Sequence, residues 1–211
     1  MVINNNFIKY KPFINNKIVI LCASGESLNK FNPMQYKDVI YITVNAGFLK
    51  LKELGITADF SFCQDKHNSH TYINKIKPNK ASFIGQCING TPSWGFTNED
   101  IKLFSGLAYY ICYDEYSDYQ KDVINKPIWD KGCSVVFSAM QFLLWCEPKE
   151  IYLVGCDCTT NRFDNTKSMI NPNQAIEYWK KIKNFANLNY PNIKIYSINP
   201  VGLKDIFPCK Q

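Results

Sequence analysis

The stretch KIVILCASGESL, Lys17 to Leu28, joins a run of β-branched and apolar residues to an abrupt cluster of small polar ones. A continuous apolar run of this length reads as a strand buried on both faces, since a strand with one wet face would alternate. The cluster Ser24, Gly25, Glu26, Ser27 then reads as a tight turn into a helix. At such a junction backbone N–H groups, hydroxyls and a helix start can face a phosphate, with Gly25 allowing close approach. The turn is neither a complete G-x-G-x-x-G nor a P-loop, because no Gly-Lys-Ser/Thr follows. An ordinary strand-to-helix turn accounts for it equally well, so its meaning depends on the rest of the chain.

Similar apolar runs recur: VIYITVN from 39, ADFSFCQ from 58, ASFIGQ from 81, AYYICY from 108, EIYLVGCD from 150 and KIYSINP from 194. The connections are mostly long enough for crossovers, which favours a parallel sheet covered by helices. SVVFSAMQFLLW, Ser134 to Trp145, is apolar nearly all round and predicts a buried helix. NQAIEYWKKIKNFANL, Asn173 to Leu188, sets Ile176, Trp179, Ile182 and Phe185 on one face with lysines opposite, the pattern of a covering helix. The expectation is α/β: a single Rossmann-like domain over residues 1–211, its mostly parallel sheet covered by helices on both faces. Residues 86–131 mix Gly, Pro, aromatics and acids without a period and read as an irregular lid, substrate wall or surface insertion.

The chain has 211 residues and a formal charge of +6, and its one arginine is Arg162. Its lysines are scattered, whereas nucleic-acid surfaces concentrate charge and use arginine forks, so no nucleic-acid partner is expected. Nine cysteines are many, but most lie inside apolar runs, where a thiol is a small core residue and points to a reducing cytoplasm. The C-x-C at Cys156 and Cys158 has no nearby partner of metal-ligand spacing, and no metal site is expected. The start MVINNNFIKYKPF carries no apolar stretch of signal length, and no apolar helix is long enough to span a bilayer. Peripheral attachment to the inner face of a membrane, through lysines or a partner, is compatible with this composition.

In a parallel sheet the carboxyl ends of all strands open on one edge. Asn45 ends the second run, Gln64 and Asp65 the third, and Asp157 the sixth. Any one of them could simply cap a helix. Together with the Ser24 to Ser27 turn they describe a polar crevice suited to the ribose, base and phosphates of a nucleotide. Trp94, Phe96, Tyr113, Tyr116 and Trp129 in the central segments could stack on a sugar or base, or be buried under a long loop.

Taken in order, ILCASGESL, TVNAG, FSFCQD and KGCSVVFSAMQFLLWCEPKEIYLVGCD resemble the bacterial lipooligosaccharide sialyltransferases of glycosyltransferase family 42. They also resemble the wider relatives of that family, the 6-hydroxymethylpterin diphosphokinase-like proteins and the motility-accessory glycosyltransferases. The likeness runs from about Lys17 to Pro200. It implies a nucleotide-sugar donor as substrate, a glycan or small-molecule acceptor, no separate cofactor, and a place in surface-glycan synthesis. It also implies that Ser24 and Gly25, in the turn that Glu26 and Ser27 complete, lie at the phosphates or ribose, that Asn45 contacts the nucleotide, and that Gln64 or Asp65 makes a second polar contact. By the same likeness Gly132, Cys133 and Ser134 line the phosphate or sugar side, and Gly155 with Asp157 matches the nucleotide-facing end of the family's last strand motif. ATP-dependent diphosphoryl transfer and nucleotide binding without turnover are the alternatives.

The sialyltransferases use a histidine base between the last strand motif and the final helix, whereas CTTNRFDNTKSMINPNQ, residues 158–174, has none. A carboxylate within hydrogen-bond reach can take the acceptor proton instead. Asp157, Asp65 and Asp164 are the candidates, with Glu177, His67 and His70 behind them. Lys131 and Arg162 could neutralise the departing phosphate electrostatically.

Overall fold

The computed structural model describes residues 6–64, 75–87, 107–112, 118–129 and 134–210. Eight strands form one sheet: β1 (Ile18–Cys22), β2 (Val39–Val44), β3 (Phe60–Cys63), β4 (Ala81–Cys87), β5 (Leu107–Cys112), β6 (Ile128–Trp129), β7 (Glu150–Val154) and β8 (Lys194–Ser197). Their order is β6-β5-β4-β3-β2-β1-β7-β8. Every pairing is parallel. Among the described residues the α-helices are α1 (Lys11–Ile14), α2 (Gly47–Glu53), α3 (Val136–Cys146) and α4 (Pro172–Asn189).

Each apolar run expected as a strand is one. The stretch 86–131 is less irregular than its composition suggests, because β5 and the two-residue β6 lie within it and extend the sheet.

Both faces of the sheet are covered, and β1 shows why its sequence is apolar without alternation. Val19 and Leu21 join a core with α3 and α4, while Ile20 and Cys22 point the other way into a core with Leu28, Phe31 and Leu51. On the first face Phe83 packs 4.6 Å from Phe62 and 5.1 Å from Phe142, ring centre to ring centre. Burying each such ring contributes about 1.5–3 kcal/mol, so this aromatic block is a main source of cohesion.

Helix α3 is buried all round, as its composition requires, and stops at Glu147, whose φ of 57° is left-handed. Helix α4 starts at Asn171, whose side chain accepts from the Gln174 amide at 3.2 Å, with Pro172 at the first helical position. Its buried stripe is Ala175, Tyr178, Trp179, Ile182 and Ala186, while Ile176 and Phe185 pack at its margins. The stripe is thus rotated slightly from the expected one, because Tyr178 is drawn inward against Trp129 and Phe137.

One expectation is corrected. The segment after β1 is a five-residue 3-10 helix, Glu26–Lys30, and not an α-helix. It is too short to build a helix dipole, and its apolar anchors Leu28 and Phe31 lie three apart, the 3-10 spacing. For Trp129 the second of the two readings holds, since it is buried and meets Tyr119 and Tyr178 edge-on, at 4.9 Å and 5.4 Å.

Candidate functional site

The chain leaves β1 to lay down β2 through β6 on one side, then returns to place β7 and β8 on the other. The carboxyl ends of β1 and β7 are therefore the point where the winding reverses. There the crossovers diverge to opposite sides and leave a crevice that the backbone cannot fill. A cavity of about 70 Å³ opens at this point, walled by Ser24, Gly25, Ser134, Gly155, Asp157 and Arg162. These six residues span 138 positions of the sequence and come from the turn after β1, the lead into α3 and the loop after β7.

The two turns are locked together. The Gly25 amide donates to the Gly155 carbonyl at 2.8 Å, and the Ser27 amide donates to Asp157 Oδ2 at 2.7 Å. The Ser27 hydroxyl donates to Asp157 Oδ1. Gly25 has to be glycine: a Cβ there would lie 2.5 Å from the Gly155 carbonyl oxygen and 2.6 Å from Asp157 Oδ2. Gly155 takes a φ of +68°, which an L side chain rarely adopts. The amides of Gly25 and Ser27, expected to face an anion, are thus engaged within the protein. Burial raises the carboxyl pKa of Asp157 above its usual value, against the two Ser27 hydrogen bonds, which lower it. Burial also pushes the neighbouring Cys156 thiol well up, so it is protonated and no nucleophile.

The loop after β7 folds into a short hairpin over the same turn. Asn161 bridges to Lys167, Arg162 bridges to Gly25, and the Phe163 amide donates to the Ser24 carbonyl at 3.1 Å. Asn161 Nδ2 donates to Glu26 Oε2 at 3.0 Å, while Phe163 is buried as an anchor. This fixes Arg162 over the cavity. Its Nε and one terminal nitrogen are shut from solvent without a hydrogen-bond partner, and the nearest carboxylate oxygen, Asp164 Oδ1, is 3.9 Å from Nε. That distance suits an ion pair and is too long for a hydrogen bond. Asp164 itself accepts from the Thr166 amide and hydroxyl at 3.1 Å and 2.6 Å. Burial opposes its ionisation, but those bonds and Arg162 prevail and hold its carboxyl below the usual value.

The other strand ends lie on the same edge, outside the cavity wall. Asn45, after β2, adopts a φ of 47°, and its Oδ1 is buried without a hydrogen-bond partner. Gln64, after β3, is buried and accepts from Tyr109 at 3.1 Å and Ser138 at 3.2 Å, tying β3, β5 and α3 together. Gln86 in β4 is also buried at this edge. It closes the apolar run ASFIGQ as Gln64 closes ADFSFCQ, a signal present in the sequence and not used. Glu177 lies on the solvent side of α4, paired with Lys180 at 2.8 Å. Asp65, His67, His70, Trp94, Phe96, Tyr113, Tyr116, Lys131, Gly132 and Cys133 lie outside the described residues.

Among the described residues no group of His, Cys, Asp and Glu could hold a metal ion, and no helix is long and apolar enough to cross a membrane.

Comparison with known proteins supplies the family. Residues 2–162 match the model described as 6-hydroxymethylpterin diphosphokinase MptE-like. A motility-accessory (MAf) glycosyltransferase from Magnetospirillum magneticum AMB-1 has a similar fold, with a TM-score of 0.58 at 10% identity over 93% of this chain. This chain spans only 33% of that one. Thiamine pyrophosphokinase from Bacillus subtilis aligns over 85% of this chain and 60% of its own, at 13% identity and a TM-score of 0.41. No curated protein sequence matches. The match to the MptE-like model covers most of the chain, which therefore belongs to that family.

Proposed function

We propose that the crevice binds the phosphate of a nucleotide-activated sugar and that the chain transfers the sugar to a hydroxyl acceptor. The observation that carries this reading is Arg162: a guanidinium facing a cavity at the winding reversal, with two buried nitrogens that lack an acceptor. An unmet buried donor costs about 1–3 kcal/mol, more when charged, and an entering phosphate oxygen relieves that cost. As the donor's glycosidic bond breaks, negative charge grows on the phosphate, and a preorganised arginine stabilises it without a metal. Asp157 in the cavity wall, or Asp164 beside Arg162, takes the acceptor proton, with Asp65 the further candidate that the sequence offers. Asn45, with its unpaired Oδ1, serves the ribose or base. The sialyltransferase likeness favours a cytidine monophosphate sugar, and surface-glycan assembly at the inner face of a bacterial membrane as the setting.

Membership of a diphosphokinase-like family supports a second reading, diphosphoryl transfer from ATP to an alcohol in the same crevice. That reaction uses magnesium to neutralise the transferred phosphates, so turnover that survives chelation eliminates it.

Thermal unfolding with cytidine, uridine, guanosine and adenosine nucleotides and their sugars tests the reading. At 100 times its dissociation constant a ligand adds about 2.7 kcal/mol. For a chain of this size that raises Tm by about 5–11 °C. At least one nucleotide should do so, and Arg162→Gln should abolish most of the rise. If no nucleotide shifts Tm, the crevice is not a nucleotide site.

A further inference from the structure

A second cavity, of about 170 Å³, lies on the other face of the sheet between α2 and the segment leading into β4. Its apolar walls include Phe48 and Ile76. Its floor includes Ser61, which is buried and shares a 2.9 Å hydrogen bond with the Thr43 hydroxyl. Lys52, Lys75 and Lys77 stand around it, all exposed, and among the described residues no carboxylate lines it. Two acids at the end of α2 and the start of β3 are committed elsewhere: Glu53 pairs with Lys50 at 3.0 Å, and Asp59 accepts from the Tyr41 amide at 2.9 Å.

We infer that this cavity is a second ligand site, for a small organic anion with a flat apolar body, such as an aromatic phosphate ester or carboxylate. Three features select this class. The volume matches what a benzene-sized body needs, since an engineered apolar cavity of about 150 Å³ admits benzene. The Thr43 hydroxyl donates to the Phe60 carbonyl at 3.5 Å and accepts from Ser61, so the Ser61 oxygen keeps its lone pairs for a donor on the ring. The three ammonium groups, with no opposing carboxylate among the described lining residues, create a positive rim at the cavity mouth. A neutral aromatic would leave the rim unused, and inorganic phosphate would leave the apolar interior empty. This site is independent of the nucleotide reading, because none of its lining residues lines the crevice at β1 and β7.

Amide NMR titration of the whole chain with phenyl phosphate, benzyl alcohol and inorganic phosphate provides the test. Phenyl phosphate should shift Ser61, Thr57 and Ile76, bind at least about fivefold more tightly than either fragment, and weaken as salt rises. A Lys75→Gln/Lys77→Gln variant, altered only at exposed positions, should lose about fivefold or more of that affinity. Phenyl phosphate that does not bind, binds no better than inorganic phosphate, or binds the double variant equally well overturns the inference. Equal shifts at Ala23 and Gly155 would also overturn it, by assigning the anion to the crevice.

Discussion

Replacing Asp157 separates what its carboxylate does for the fold from what it does for chemistry. The group is buried, and both oxygens accept from Ser27, one from the amide at 2.7 Å and one from the hydroxyl. In Asp157→Asn the amide can mimic this arrangement: its carbonyl accepts from the Ser27 N–H while its NH₂ donates to Ser27 Oγ. Only charge assistance is lost, about 1 kcal/mol per bond, and the relief of burying no charge outweighs it, as the raised pKa of the carboxyl requires. The Asn variant should therefore unfold within about 1 kcal/mol of the parent. In Asp157→Ala two buried donors lose their acceptor and a void opens, for a total of about 3 kcal/mol. In a chain of this size that lowers Tm by about 6–12 °C. The pH dependence carries a sign. Because burial raises the folded pKa of Asp157 above its unfolded value, its contribution is fully present below the unfolded pKa and is lost as pH rises through the folded one. The parent should thus lose stability relative to Asp157→Asn as pH is raised from about 3 to 7. Denaturant unfolding of the three proteins across that range is the assay. If Ala is as stable as Asn, Asp157 does not hold the two turns together. If Asp157 also takes the acceptor proton, Asn will keep the fold and lose turnover.

Gly25→Ala forces a Cβ to 2.5 Å from the Gly155 carbonyl oxygen, so it should cost about 2 kcal/mol in chemical denaturation, and parental stability would refute the close approach. The Tyr152 hydroxyl, 2.6 Å from Glu150 Oε2, together with Lys210 holds the Glu150 carboxyl below its usual value. That contribution exists above the unfolded pKa and is lost as pH falls through the folded one. The stability gap between parent and Glu150→Gln should be full near pH 6 and close below about pH 4, and a gap unchanged by pH would sink the pairing. Phe83→Ala, in the aromatic block of the first face, should cost about 3–5 kcal/mol by calorimetry, and a loss below about 1 kcal/mol would mean that the block is loosely packed.

The strands were legible because a parallel strand covered on both sides must be apolar without alternation, and residues 18–22, 39–44 and 150–154 are. The two-residue β6 was not, since Pro127 and Asp130 flank an Ile-Trp pair too short to show a period. Strand order was also hidden. Nothing local says that β1 sits between β2 and β7, because that depends on which apolar faces pack best after collapse. The polar residues at strand ends were visible as a class, but their partners were not. Ser27 and Asp157 are 130 positions apart, so a serine that looked like a phosphate contact proves to be the fastening between two turns. Trp129 shows the same limit from the other side, since an aromatic in a Gly/Pro-rich segment reads alike whether it faces a ligand or, as here, Tyr119.

The cavity persists although the turn after β1 lacks the helix that was expected to mark it, and this says where its binding capacity comes from. The amides of Gly25 and Ser27 serve β7 and Asp157, so they add little to the pull on an anion. Among the described residues the cation that remains is one guanidinium, placed by a hairpin that bridges to Gly25 and whose Phe163 is fixed in the second core. The hairpin can hold Arg162 only because Gly25 has no side chain to push β1 and β7 apart. Glycine, aspartate and arginine therefore act as one unit: the glycine permits the contact, the aspartate closes it, and the arginine uses the space it leaves. Changes at the first two should reach nucleotide affinity through the position of Arg162, and Arg162→Lys should not restore it, because an ammonium cannot present the planar donor pair that the buried nitrogens offer.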